Sequence, residues 1–161
     1  MSPMNEKDAC DLLDADHKAV KKMFKDYDEL TSSRARNVSQ KKKDLAQQIC
    51  QELTVHAQIE EEIFYPAIRE ALKETDLIDE ASVEHQTAKD LIKQIQAAGE
   101  PDEMFDAKVK VLGEYIDHHV KEERGEIFPK ARSAKKLDLM AMREELESRK
   151  QELMSEMHAM A

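Results

Sequence analysis

The stretch His56-Ala57-Gln58-Ile59-Glu60, which runs on through Glu61-Glu62-Ile63-Phe64-Tyr65 to Pro66, has a second version later in the chain. This is His119-Val120-Lys121-Glu122-Glu123, followed by Arg124-Gly125-Glu126-Ile127-Phe128-Pro129. His, Glu and Pro recur at one offset of 63 residues (56 to 119, 60 to 123, 66 to 129). One such pair is common by chance in acidic helices, but three restrictive positions at a shared spacing are not. On a helix, residues four apart stack on one face, so each pair presents an imidazole nitrogen beside a carboxylate oxygen. Two such pairs, each able to hold a metal, point to two related helices facing a common interior.

A chain of 161 residues is one domain's worth and can bury a core without staples. Three Gly, no Trp and 37% charged residues, with few β-branched or aromatic runs, point to an all-α fold. The formal net charge is −10, and Lys and Arg are scattered among acids. A basic face for phosphate groups is missing, so neither nucleic acid nor an anionic membrane is an expected partner. Residues 1–6 carry no cationic and apolar signal and no apolar run reaches bilayer length, which reads as a cytoplasmic protein. Cys10 and Cys50 sit in helical stretches outside any CxxC or zinc spacing and read as reduced thiols.

Apolar residues at steps of three and four define the helices. The first is expected to start near Asn5 or Asp8 and end near Leu30, with the seam Leu13, His17, Val20, Phe24 and Tyr27. After a polar connection over 31–37, the second carries Leu45, Ile49, Leu53, His56, Glu60, Ile63 and Ala67. Pro66 predicts a kink or break one turn past Glu60, with 67–73 able to resume the helix. Thr75 reads as the N-cap of a third helix with the seam Ile78, Ala81, His85, Ala88, Ile92 and Ile95. Gly99 reads as its C-cap, and Pro101 favours a fresh start. The fourth seam is Phe105, Val109, Leu112, Ile116, His119, Glu123 and Ile127, with Pro129 in the part of Pro66. Residues 5–132 thus form a four-helix bundle. Residues 133–161 form a C-terminal amphipathic helix through Leu139, Met142, Leu146, Leu153 and Met157. It is expected to pack on the bundle or on a second subunit, as a homodimer would require.

In an antiparallel bundle, mid-helix positions of all four helices converge in one layer. Here that layer would hold His17, His56, Glu60, His85, His119 and Glu123. Without a metal, each carboxylate in an apolar core carries a desolvation cost of roughly several kcal/mol. Two divalent ions remove the difficulty, since carboxylates can bridge them and each ion takes two nitrogens. Iron suits this donor set, with manganese and zinc as alternatives, and the lack of thiolates argues against structural zinc. Six-coordinate ions would keep open positions, where a small oxidant binds. His118 and Glu122 also stack at i, i+4 and compete as alternate ligands, but the seam favours His119 and leaves His118 beside the site or exposed. Glu61, Glu62, Glu122 and Glu126 offer extra ligands but read rather as a solvated acidic face. Phe64, Tyr65, Ile127 and Phe128 read as closing the end of the core, and Tyr27 and Tyr115 as ordinary packing.

Over Cys10 to Arg132 the sequence resembles the hemerythrin-like proteins, or HHE cation-binding domains. The resemblance lies in a His in the first helix, His-x-x-x-Glu leading to Phe-Tyr-Pro in the second, Glu84-His85 in the third, and His-His-x-x-Glu-Glu leading to Ile-Phe-Pro in the fourth. It implies an up-down-up-down four-helix bundle, the topology of myohemerythrin. It also implies two iron ions bridged by an oxo or hydroxo group together with Glu60 and Glu123, with His17 and His56 on one iron and His85 and His119 on the other. The implied ligand is dioxygen or a related small oxidant, bound, sensed or detoxified as oxygen, peroxide or nitric oxide; enzymatic turnover is left open. Oxygen carriers of the family have two histidines four apart in the third helix, whereas Ala81 and Lys89 flank His85 at that spacing. One iron thereby loses a nitrogen, which argues against stable carriage. Two other classes stay in view: an iron-storage or ferritin-like ferroxidase, whose Glu-x-x-His signature the cluster lacks, and a metal-free helical interaction protein.

Overall fold

Asp8 opens the first helix with a reciprocal cap. Its carboxylate accepts from the Asp11 N–H at 2.9 Å, while the Asp11 carboxylate accepts from the Asp8 N–H at 3.2 Å. This computed structural model describes residues 7–73 and 76–160, so the alternative start at Asn5 and the proposed Thr75 cap lie outside the described residues. Helix α1 spans Ala9–Leu30 and α2 spans Val38–Ile59. A π-helical turn, π1, covers Glu60–Phe64 and leads into α3, Tyr65–Leu72. Then come α4, Asp76–Ala97, and α5, Glu103–Glu122, followed by a second π turn, π2, over Glu123–Ile127. Helix α6, Phe128–Ser133, and α7, Leu139–Met160, complete the chain.

Helix α1 packs beside α2 and α5, and α4 beside α2 and α5, so short connections leave four antiparallel rods in a closed square. The second and fourth rods are each an α-helix, a π turn and a further α-helix in continuous succession. The break expected at Pro66 is therefore absent. In π1 the Tyr65 N–H reaches back five residues to the Glu60 carbonyl, and the proline, which has no N–H, falls in the first turn of α3. Widening the turn ahead of a proline accommodates its ring and missing donor without ending the helix. The same device precedes Pro129, where the Phe128 N–H reaches Glu123.

The extra residue in each turn changes which side chains face inward. Extrapolating the α-helical period past Glu60 selects Ile63 and Ala67, but the residues fully buried are Phe64, Tyr65 and Ile68. Gly99 also departs from expectation: no glycine has positive φ among the described residues, and the left-handed cap is Lys73, at φ 56°, which closes α3.

The core falls into two apolar clusters. One, around Leu13, Ile59, Phe64, Ile78, Ile127 and Leu146, also receives α7. The other, around Val20, Ile49, Leu53, Ile92, Phe105 and Leu112, fills the opposite end. Helix α7 lies on α1, α2 and π1, with Met142, Leu146 and Leu153 buried and Arg149 pairing with Glu62 at 2.8 Å. Among the described residues no helix is long and apolar enough to cross a membrane.

Candidate metal centre

Between the two clusters stand the only buried polar residues among those described: His17, His56, Glu60, His85, His119 and Glu123, the carboxylates 0% and the imidazoles 5–8% exposed. Each comes from the seam of a different stretch of helix, and the two Glu stand at the first position of the two π turns. The imidazoles meet in pairs through Nε2. His17 faces His56 at 3.0 Å, and His85 faces His119 at 3.2 Å. Glu60 Oε1 lies 3.4 Å from His56 Nε2 and 3.1 Å from His85 Nε2. Glu123 Oε1 lies 3.2 Å from His17 Nε2 and 3.1 Å from His119 Nε2. Each carboxylate thus stands between one imidazole of each pair. Glu60 Oε2 and Glu123 Oε1 have no hydrogen-bond partner, a state that costs buried acceptors about 1–3 kcal/mol each.

The outer nitrogens face carboxylates. His56 Nδ1 is 3.2 Å from Asp16, His85 Nδ1 2.8 Å from Glu61 and His119 Nδ1 2.7 Å from Glu84. Asp14 stands 3.5 Å from His17 Nδ1, a looser contact that leaves this nitrogen without a hydrogen bond. An Nδ1–H donated to a carboxylate fixes the tautomer with a lone pair on Nε2, as a metal ligand requires. Glu61, expected on a solvated face, is therefore part of the site, and so is Glu84. Their signal in the sequence was the neighbour relation Glu61 to Glu60 and Glu84 to His85, which gives no orientation until helices pack. Glu62 pairs with α7 and Glu126 is exposed.

Tyr65 is the larger surprise. Its hydroxyl sits within 3.2–3.4 Å of Glu60 Oε1, His85 Nε2, His119 Nε2 and Glu123 Oε2, inside the polar layer rather than closing the core. Five residues past Glu60, it reaches the site because π1 brings i+5 onto the ligand face. Its counterpart at the 63-residue offset is Phe128, which stacks over His17 at 6.1 Å. Ala81 is buried in the apolar cluster that includes Tyr65, and Lys89 turns to Glu61 at 2.6 Å, so neither supplies a further nitrogen. Tyr27 instead donates to Asp106 at 2.8 Å, and Tyr115 is exposed.

Electrostatics follow from this packing. Burial alone would raise Glu60 and lower the imidazoles, but the mutual contacts outweigh it. His56 is pushed up to about 10 chiefly by Glu60 and Asp16, and His119 to about 11 by Glu123 and Glu84. Glu60 is held well below the usual carboxylate range, against its burial, by His56 and its other hydrogen-bonding neighbours. Burial, then Glu123 and Glu60, hold Tyr65 well above its ordinary value, so the phenol keeps its proton. Protons thus fill the role that cations would take.

A cavity of about 30 Å³ adjoins the four imidazoles, with Val20, Leu53, Ala88, Ile92 and Ile116 and the polar Asp16, Thr54 and Lys89 also on its wall, and it touches neither glutamate nor Tyr65. That volume suits a molecule of two or three atoms. His118 lies outside: its ring is 66% exposed and faces Glu122 at 3.0 Å, while Glu84 is 3.7 Å away.

Residues 8–131 match the hemerythrin HHE cation-binding domain. The chain is 31% identical over 123 residues to a DNA nickase of Nostoc sp., covering 76% of this chain and 33% of that protein, so it spans a third of that relative's length. It also resembles the crystal structure of a hemerythrin HHE cation-binding domain-containing protein from Mycobacterium kansasii, with a TM-score of 0.73, covering 91% of this chain and 87% of that one. At 21% identity that likeness speaks for the fold.

Proposed function

The chain belongs to the hemerythrin HHE cation-binding domain family, and from that premise we propose that it holds two iron ions and meets dioxygen or a related small oxidant beside them. His17 and His56 would hold one ion and His85 and His119 the other, with Glu60 and Glu123 shared between them. The observation that carries this reading is the common orientation of the imidazoles, every Nε2 inward and every Nδ1 toward a carboxylate. The paired Nε2 atoms, 3.0 and 3.2 Å apart, are close enough for one ion to take both nitrogens of a pair. The two orphaned carboxylate oxygens would be satisfied by the same ions.

Iron at this position supplies redox electrons and open coordination positions. The chain's own residues do the rest. Asp16, Glu61 and Glu84 fix the imidazole tautomers. Tyr65 holds a proton at Oη beside both shared carboxylates. Val20, Leu53, Ala88, Ile92 and Ile116 line a cavity beside the imidazoles with room for a small molecule.

Four nitrogens to two carboxylates favour this reading over a ferritin-like ferroxidase. Manganese and zinc are competitors for the same donors. Strand nicking is not carried over from the longer relative, because a net charge of −10 offers no basic stripe for a phosphate backbone. A reducing, cytoplasmic setting agrees with Cys10 and Cys50, both free and buried.

Anaerobic loading with ferrous iron followed by oxidation should give near-ultraviolet ferric absorption at two irons per chain, lost in Glu60→Ala and Glu123→Ala. Undiminished iron uptake in both variants would overturn the proposal. Stopped-flow mixing of the reduced, iron-loaded protein with oxygen, peroxide and nitric oxide then separates turnover from simple binding.

A further inference from the structure

The four carboxylates behind the imidazoles are not equivalent in their own surroundings. Asp14 pairs with Arg124, Asp16 with Lys150 at 2.6 Å, and Glu61 with Lys89 at 2.6 Å. Three corners are thereby closed by a Lys or Arg. At the fourth, neither Glu84 nor Glu122 has a Lys or Arg partner among the described residues. Glu84 turns one oxygen to His119 Nδ1 at 2.7 Å and the other toward His118, 3.7 Å away, and His118 Nε2 lies 3.0 Å from Glu122 Oε1. Two carboxylates from adjoining helices, α4 and α5, therefore converge on one exposed imidazole at a corner where the pattern of the other three calls for positive charge.

We propose that Glu84, His118 and Glu122 form a second, surface site for a divalent transition-metal ion, distinct from the buried centre. One donor atom from each residue lies within 4.8 Å of the others, close enough for an ion to draw them in by side-chain rotation alone. His118 and Glu122 stack four residues apart on α5, and Glu84 closes the site from α4. One imidazole nitrogen with two carboxylates suits zinc, ferrous iron or manganese, and the imidazole disfavours magnesium and calcium, which take oxygen donors. The ion would neutralise two carboxylates that otherwise repel each other. Glu84 is shared: its other oxygen orients His119, so an ion at the surface polarises the carboxylate that positions a buried imidazole. This last coupling rests on the buried centre being a metal site; the surface site does not.

Equilibrium dialysis against zinc, comparing the full chain with His118→Ala and Glu122→Gln, tests the proposal. His118 is well exposed, so its variant should keep its fold, and matching circular dichroism melts would verify that. The expected result is one zinc equivalent fewer in His118→Ala and a weaker equivalent in Glu122→Gln. Anomalous scattering from zinc-soaked crystals should place an ion at His118 Nε2. Equal stoichiometry in the full chain and His118→Ala overturns the site, whatever the buried centre binds. If the full chain binds only the equivalent that His118→Ala removes, the surface site stands and the buried reading falls. For the coupling, zinc should shift the near-ultraviolet band of the iron-loaded protein, and the shift should vanish in His118→Ala; an unmoved band overturns the coupling.

Discussion

Tyr65 shares one hydroxyl among two carboxylates and two imidazoles at 3.2–3.4 Å, so it contributes a proton donor beside both glutamates. Its replacement by phenylalanine keeps the ring in the core and removes only that donor. In Tyr65→Phe, iron stoichiometry should be unchanged, because none of the six proposed ligands is touched. Reaction of the reduced protein with peroxide should slow by on the order of a hundredfold, the usual scale for losing a positioned proton donor. Single-turnover stopped-flow traces check this, and an unchanged rate would reduce Tyr65 to a packing residue. At this scale the six inward residues were legible from their spacing. Tyr65, Glu61 and Glu84 were not, because each depends on a neighbouring helix or an altered helical turn to give it direction.

Two elements depart from plain α-helix where it matters. The π turns begin at Glu60 and Glu123, add one residue to each turn, and rotate Tyr65 and Phe128 onto the face of the site. Prolines 66 and 129 were visible in the sequence, but they read as kinks or breaks because an α-helix cannot absorb them without losing a hydrogen bond. Helix α7 reaches the site by a different route. Lys150 holds Asp16 at 2.6 Å and Asp16 holds His56 at 3.2 Å, so a helix outside the four-rod square steadies a buried imidazole. Burial would raise Asp16, but His56 and Lys150 keep it below the usual carboxylate range. Lys150→Met should therefore weaken metal binding about tenfold, the lower end for losing an outer-sphere partner, and Lys150→Arg should restore it. Competitive chelator titration of the metal measures both.

The whole molecule places an ionisable layer between two apolar clusters, and its stability should depend on what fills that layer. In the metal-free protein, His56 at about 10 and His119 at about 11 lie above the ~6.5 of an unfolded imidazole, so the folded state holds protons the unfolded state has released. That contribution is complete below pH ~6.5 and is lost progressively as pH rises through 10 and 11. Glu60, depressed in the folded state, acts oppositely: its contribution is present above pH ~4.3 and lost on acidification. Thermal melts of metal-free protein should thus fall on raising the pH from neutral toward 10. Metal-loaded protein should change far less, because ions displace those protons, and the gap between the two melting temperatures should widen with pH. Stripping the metal with a chelator at neutral pH should lower the melting temperature without unfolding the chain.

The sequence by itself determined an all-helical chain, the order of its rods, and a repeated His-x-x-x-Glu on two apolar seams, because residue type and period act locally and survive in one dimension. It also showed that His85 has no second histidine four residues away, Ala81 and Lys89 holding those positions. Only the tertiary structure decided which acids stand behind the imidazoles and that α7 covers this bundle's own flank. Those relations join residues as far apart as Asp16 and Lys150, and no spacing along the chain encodes them until burial of the apolar seams brings the rods together.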